Sequence, residues 1–438
     1  KSNIGHTEAA AGLAGLLKVV VSLRSGQLPP SLHFEAPSSD IPFDRMPVRV
    51  VTSLEPWSRG PRARVAGVSS FGLTGTNAHV IVEEAPSLDA ATRNAAPGPD
   101  EARAELLVPS TKSESSLVEL AGRYRDLLRS EDGPALADLC YTASVHRTHH
   151  DHRLALTGTR PEDFALELDR FHAGEDLAPG AVGFAVDRRV RKVVFVVGGQ
   201  GSQWLGMGRE LYRDDTAFRE AIDRCDEAIR AEAGWSLVKE LHASRETSRI
   251  SEQEIVQPAL FAMSVALASV WRAFGVEPSS VVGHSAGEVA TAHLSGALDL
   301  TDSVKIICKR GVVMTRVMGR GGMAFLAIPS AAALELIAPY GDRLNLAAQN
   351  GPRSTVVSGD RAAVDELCAS LDPAQFFFRR INVEVAGHSV HMEPLRTEYE
   401  DALRRISPRS SMVPMISTVT GDVIDGETLD ASYWYRNL

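Results

Sequence analysis

Residues 279–294 read SSVVGHSAGEVATAHL. A short β-branched run enters a glycine-bracketed serine, and a helical stretch leaves it through His293. The tract Gly283-His284-Ser285-Ala286-Gly287 fits the G-x-S-x-G turn between a strand and a helix. Such a turn needs its glycines because the backbone at the serine is strained and the neighbouring chain passes close. It exposes Ser285 at the C-terminal end of a strand, with the next helix's N–H groups aimed at it. An ordinary strand-to-helix turn is the alternative, since the pentad recurs by chance in chains rich in Ala, Gly and Ser. The strand before it and the helix after it favour a nucleophile.

A nucleophilic serine needs a base. With 13 histidines, counting does not choose one. His388, in VAGHSVHM, follows an expected strand and lies C-terminal to Ser285, the order usual in the hydrolase fold. His391 is the alternative, three residues on. GGQGSQ (198–203) follows VVFVV (193–197), a run that reads as a strand buried on both faces. A Gly-rich turn there can bring backbone N–H groups near a reacting carbonyl. It could instead cradle a phosphate, but the P-loop Lys-Ser/Thr ending is absent. Arg310, in KRG, sits on an expected helix. A buried arginine is costly without an anionic partner, and its planar fork suits a carboxylate; a surface arginine is the ordinary alternative. GRGGM (319–323) reads as a flexible hinge without a strand of its own.

Around this core the chain divides by composition. Its 438 residues suggest about three units at roughly 150 each. Residues 1–86 are apolar and Gly-rich, with strands expected at RVAGVSSFG and AHVIVEE, the latter burying Val80, Ile81 and Val82. Residues 87–105 read as a linker, the first part of an 87–190 region whose 106–190 portion reads as a compact α/β adaptor. From 191 onward, strands alternate with helices as in a parallel α/β sheet. One of those helices is PALFAMSVALASVWRAF, with Pro258 at its start. Residues 320–385 follow the order βαββαβ, that of an inserted ferredoxin-like unit.

The bulk numbers exclude several classes. Net charge is −10 with no Lys/Arg-rich block, against a nucleic-acid surface. No apolar run reaches the ~18 residues of a membrane span. The four cysteines are far apart with no CxxC pair, as in a reduced cytoplasmic protein. HRTHHDH (146–152) matches no standard zinc spacing, so no metal is expected.

Together these motifs resemble a type I modular polyketide synthase. GQGSQWLGMG, GHSAGE, KRG and VAGHS resemble the acyltransferase domain in order and spacing, with Arg310 twenty-five residues after Ser285. KSNIGHTEAAAG and GVSSFGLTGTNAHVIVEEAP resemble the last part of a ketosynthase, and 106–190 resembles the adaptor that joins the two. The resemblance implies a thiolase-like ketosynthase remnant, a small α/β linker domain, and an acyltransferase over 191–438 with an α/β-hydrolase-like core. It assigns Lys1 and His6 to the ketosynthase's catalytic Lys and second catalytic His, whose nucleophilic Cys and first His find no match here. The chain is therefore expected to be a fragment, truncated at both ends, with an inert ketosynthase part.

For the acyltransferase, the resemblance implies that Ser285, activated by His388, attacks the thioester of a malonyl-type CoA. The backbone N–H groups of Gln200 and Ala286 would hold the oxyanion, and Arg310 the extender's free carboxylate. The acyl group would pass to the phosphopantetheine thiol of an acyl carrier protein, with no cofactor bound by this chain. The intact synthase is expected to be a homodimer. The chain departs from the family in having Gly198 where Pro is common, and Ala286 with VAGH where methylmalonyl-selective members carry GHSQG with YASH and malonyl-selective ones HAFH. Gly387 leaves room for a branch, while the missing Gln and Tyr tilt the reading to malonyl. An α/β-hydrolase-type esterase or thioesterase shares the serine and histidine but gives no reason for Arg310. A non-catalytic scaffold fragment is the third reading.

Overall fold

The computed structural model describes residues 2–86, 104–177, 180–185, 192–375, 377–381 and 383–438. Lys1 and nearly all of the expected linker at 87–105 lie outside them. The chain forms two compact units, Lys1–Ala185 and Val186–Leu438.

In the first unit, helix α1 (Ala11–Ser25) ends on Gly26 in the left-handed conformation. Two-residue strands β1 (Gln27–Leu28) and β2 (Glu55–Pro56) pair antiparallel. β3 (Val65–Phe71) and β4 (Asn77–Glu83) form a hairpin, with α1 against β3. The expected burial of Val80 and Ile81 does not occur: they are 47% and 70% exposed, because among the described residues this hairpin is a two-stranded sheet with no further layer over β4. Beyond residue 103, β5 (Glu105–Leu107), β6 (Ser110–Thr111), β7 (His152–Gly158) and β8 (Gly180–Phe184) make an antiparallel sheet centred on β7. Helices α2 (Glu114–Arg129), α3 (Leu136–Val145) and α4 (Pro161–Ala173) accompany it. Ser113 caps α2, and Pro161 opens α4 where its missing N–H costs nothing. Leu107, Leu117, Leu154, Leu156, Phe164 and Leu168 form this region's core.

The second unit is built on a four-stranded sheet. β9 (Val194–Val197) lies parallel to β10 (Ser280–Gly283), β10 parallel to β15 (Met415–Ile416), and β16 (Val423–Ile424) closes antiparallel on β15. β9 is therefore an edge strand. Val194 and Val196 are 44% and 76% exposed, so the expectation of burial on both faces fails. A run of β-branched residues reads alike whether one face is covered or two.

Helices α5 (Arg209–Asp214), α6 (Thr216–Ala233), α7 (Leu237–Leu241), α8 (Gln253–Ala273), α9 (Gly287–Leu294) and α10 (Leu300–Thr315) supply most of the core around this sheet. α8 begins five residues before Pro258, so that proline lies inside the helix rather than at its start. Among the described residues α8 alone is long and apolar enough to span a membrane, but it is mostly buried in this core.

A second antiparallel sheet grows out between α10 and residue 383. In chain order it runs β11 (Gly321–Leu326), α11 (Ser330–Ile337), β12 (Leu344–Gly351), β13 (Ser354–Asp360), α12 (Arg361–Ser370) and β14 (Phe378–Ile381). In space the strands run β12-β13-β11-β14. Gly321 and Gly322, expected in a hinge, are the first residues of β11, and the reason is crowding: a Cβ on Gly321 would lie 2.2 Å from the Ala386 nitrogen. After His388 the chain returns through α13 (Arg396–Leu403), and after the main sheet it ends in α14 (Ala431–Asn437), whose Tyr433 and Trp434 are fully buried. Truncating such an aromatic to alanine costs about 3–5 kcal/mol.

Candidate active site

The main sheet delivers Gly283 to the start of the turn. A Cβ there would stand 2.5 Å from the Glu288 nitrogen, and one on Gly287 would stand 2.6 Å from the carbonyl oxygens of Val197 and Gly198. Only glycine allows both approaches. The turn closes with Gly287 N–H donating to His284 C=O (2.9 Å) and Glu288 N–H to Ser285 C=O (3.0 Å). Ser285 itself sits at φ +54°, a left-handed conformation that costs a non-glycine residue of order 1–3 kcal/mol. The strand's end is therefore held in a strained bend that turns the side chain outward.

His388 shares this property, at φ +59°. Its main-chain N–H donates to Leu438 C=O (3.2 Å). Ser285 Oγ and His388 Nε2 are 2.9 Å apart across 103 residues of sequence. The other face of the ring bonds the Asn437 main chain at the end of α14. Desolvation first, then the charge of Arg310 and proximity to His284, push the imidazole pKa down to about 3, the Asn437 bond opposing them. The ring is neutral at physiological pH, with Nε2 free to accept the serine proton.

Arg310 points inward from α10 and is 2% exposed. Its Nη1 donates to Gln257 Oε1 (2.8 Å) on α8 and approaches Met314 Sδ (3.6 Å); its Nη2 donates to Ser285 Oγ (3.1 Å). Nε has no partner, and Arg310 forms no ion pair among the described residues. Burial pulls its pKa below the ordinary value. A guanidinium in this setting favours an anion brought close to it.

Gly198–Gln203 pass directly over the turn. A Cβ on Gly199 would lie 2.8 Å from His284 C=O and 3.4 Å from Ser285 Cβ, so the stretch leading to Gln200 runs against the serine. Ala286 caps α9, buried at the helix N-terminus. Gly387, also buried, has open space where a side chain would stand, bounded by Met314 Cε at 4.0 Å. A cleft of about 830 Å³ reaches Ser285 and His388, lined on one side by Asn345, Gln349 and Asn350 of β12. His284 Nε2 and Asn350 Oδ1 meet across it at 2.9 Å.

The structure thus brings Ser285, His388 and Arg310 together, with Ala286 and Gly387 next to them in the chain and Gly199, the residue before Gln200, against the serine. His391 does not join: its Nε2 bonds Asp360 Oδ1 at 2.8 Å. In the other unit, His6 is exposed and, among the described residues, its Nδ1 accepts only the Glu8 N–H (3.0 Å). Sequence reasoning missed Gln257, Glu288 and Asn437. Gln257 lies in an apolar helix, and Glu288 and Asn437 meet partners about 150 residues away in sequence, so none of the three leaves a local signal. Among the described residues no His/Cys/Asp/Glu group is arranged to hold a metal.

Comparison with known proteins decides the family. Residues 194–438 match the acyl transferase domain, 37–155 the ketoacyl-synthetase C-terminal extension, and 1–35 the beta-ketoacyl synthase C-terminal domain. The erythronolide synthase EryA3 of Saccharopolyspora erythraea is 43% identical over 439 residues. The chain belongs to the type I modular polyketide synthases. The mycoketide-CoA synthase of Mycobacterium tuberculosis (strain ATCC 25618 / H37Rv) is 41% identical over 441 residues. All of the chain is covered in both, but it spans only 14% and 10% of those relatives' lengths. Among solved structures, the acyltransferase domain from module 8 of the salinomycin polyketide synthase superposes with a TM-score of 0.71 at 39% identity, covering 77% of this chain and 79% of that one. A loading acyltransferase from the avermectin modular polyketide synthase does so at 0.54 and 43%, covering 56% and 78%. Residues 194–438 of this polyketide synthase chain are thus its acyltransferase domain, and Ser285, His388 and Arg310 all lie within it.

Proposed function

We propose that this acyltransferase domain loads a malonyl-type extender from its CoA thioester onto the phosphopantetheine thiol of an acyl carrier protein. The observation that carries the reading is Arg310: buried, in contact with no carboxylate among the described residues, and 3.1 Å from the nucleophile, with only the charge of Glu288 acting on it from further off. A group held there must bring its own negative charge and present its thioester to Ser285. The free carboxylate of a malonyl unit does both, with Nε and Nη2 offering the paired edge that a carboxylate accepts.

In the first half-reaction His388 Nε2 takes the Ser285 hydroxyl proton as Oγ attacks the thioester carbonyl. The tetrahedral oxyanion is held by backbone N–H groups of Gln200 and Ala286. Its collapse breaks the C–S bond, and the proton on His388 goes to the departing CoA thiolate. In the second half, His388 takes the proton of the carrier's thiol, the thiolate attacks the acyl-serine, and the proton returns to Ser285. The Asn437 main chain keeps the imidazole in the tautomer this needs, in the place an acid takes in a Ser-His-Asp triad. The same reading takes the β12-β13-β11-β14 sheet as an inserted ferredoxin-like subdomain and the parallel sheet as an α/β-hydrolase-like core.

Open space at Gly387 admits a small branch, and the absence of the Gln and Tyr of methylmalonyl-selective members favours the unbranched unit. Intact mass after brief incubation with malonyl-CoA or methylmalonyl-CoA tests this. A malonyl adduct that disappears in Ser285→Ala is the expected result. An adduct with methylmalonyl-CoA alone would reverse the extender assignment. No adduct from either on folded protein, with hydrolysis of a simple ester, would replace the transferase by an esterase.

A further inference from the structure

Glu288 is fully buried one turn after the nucleophile, and it forms no ion pair among the described residues. Its carboxylate is instead wrapped in donors from far along the chain. Oε1 accepts from Thr418 N–H and from Thr418 Oγ1 (3.1 Å); Oε2 accepts from Tyr433 OH (2.9 Å) and Asn437 Nδ2 (2.8 Å). These donors reach further. Asn437 Nδ2 also donates to Ser285 C=O (3.1 Å), and the one Thr418 hydroxyl proton lies between Glu288 Oε1 and Gly283 C=O (3.0 Å). Asn437 is the residue whose main chain holds the His388 ring.

We propose that Glu288 is a positioning residue for both members of the Ser285–His388 pair. It fixes Asn437, which grips the strained serine through its side chain and the histidine through its main chain. The inference rests on Ser285 and His388 being nucleophile and base. Both stand at positive φ, so each needs outside support to stay there. A negative charge is the required anchor. Asn437 keeps its Nδ2 edge toward Glu288 although this leaves its Oδ1 buried without a partner among the described residues. A carboxylate accepts only that edge; a neutral amide would not enforce it. In Glu288→Gln the fixed Thr418 N–H claims the Gln oxygen, and the Gln NH₂ then faces Asn437. Asn437 can answer only by turning its amide over, which sets Oδ1 against Ser285 C=O and breaks the tie.

The test uses the full chain and two readouts. Labelling of Ser285 by a sulfonyl fluoride needs nucleophile and base but no acyl-CoA; steady-state transfer from malonyl-CoA gives kcat and KM. For Glu288→Gln we expect folded protein whose labelling rate and kcat both fall about 10²-fold, with KM unchanged because Glu288 touches no substrate. Asn437→Ala removes the same tie while keeping the carboxylate and the main-chain carbonyl, and is expected to slow labelling likewise; it carries the test if the first variant does not fold. A wild-type labelling rate in folded Glu288→Gln, with only a lowered melting temperature, would reduce Glu288 to a structural role and overturn the proposal. Wild-type protein that labels at Ser285 but takes no malonyl group would refute the proposed substrate while leaving the labelling comparison to decide on Glu288. Wild-type protein that does not label would overturn both.

Discussion

His388 and His6 are two histidines in catalytic-looking motifs, and their surroundings differ. His388 meets Ser285 Oγ at Nε2, has the Asn437 main chain as its second hydrogen-bonding neighbour, and stands beside a buried arginine. His6 is exposed in an irregular stretch just after a turn and, among the described residues, accepts one bond from a residue two positions away. The first is set by segments around 285, 310 and 437; the second by its own neighbours. What separates an assembled site from a bare motif is convergence from distant parts of the chain, because only then is the ring desolvated and its proton affinity set by chosen partners.

That contrast can be broken experimentally. The largest effect is expected from His388→Ala, which removes the base and should lower acylation of Ser285 by about 10²–10⁴-fold in a single-turnover assay. The pH dependence belongs to the same test. The active ring is neutral, and its pKa is pushed down to about 3, so loading limited by His388 should be flat from pH 6 to 8 and fail only in acid. The ordinary value is 6.5, so the unfolded chain takes up a proton that the folded ring refuses; His388 therefore withdraws stability as pH falls from about 6.5 toward 3. A rate midpoint near 6.5 would mean that its burial does not persist in solution.

A smaller and more selective effect is expected from Arg310→Ala. It deletes the cation but leaves Ser285 and His388 in contact, so malonyl transfer should fall by about 10²-fold or more while labelling by an uncharged sulfonyl fluoride persists. Equal losses in both would mean that Arg310 mainly supports the serine. The smallest effect is expected from Gly387→Ala. The new methyl meets Met314 Cε at an ordinary 4.0 Å, so the fold should tolerate it. Competition between malonyl-CoA and a longer-branched analogue should shift toward malonyl by about tenfold, the scale of one methylene in a pocket.

Much of this site was legible because its chemistry is local in sequence. G-x-S-x-G carries its own strand, strained turn and helix, so residues 279–294 fold as they read. Arg310 read on its own as an ordinary surface arginine; only the resemblance to the acyltransferase domain set it beside Ser285, where it is buried and 3.1 Å from Oγ. What could not be read lies in long-range packing. Glu288 follows the motif by one residue, yet its partners Thr418, Tyr433 and Asn437 are about 130–149 residues away. VVFVV read as a doubly covered strand because its composition does not reveal that β9 is an edge. Pro258 read as a helix start because the turn preceding it, Gln253–Gln257, is polar at its ends and lacks a side-chain cap.

Gly321 bears on how such domains are re-engineered. Its missing side chain lets β11 press against Ala386, whose nitrogen and Cβ would stand 2.2 and 2.6 Å from any added Cβ. The tetrapeptide 385–388, which ends in His388, the proposed base, is thus clamped from behind by the root of the small sheet. Transplanting that tetrapeptide from a synthase of different extender choice exchanges one half of a mated surface. The graft should succeed only when residue 386 keeps an alanine-sized footprint, or when the β11 segment travels with it.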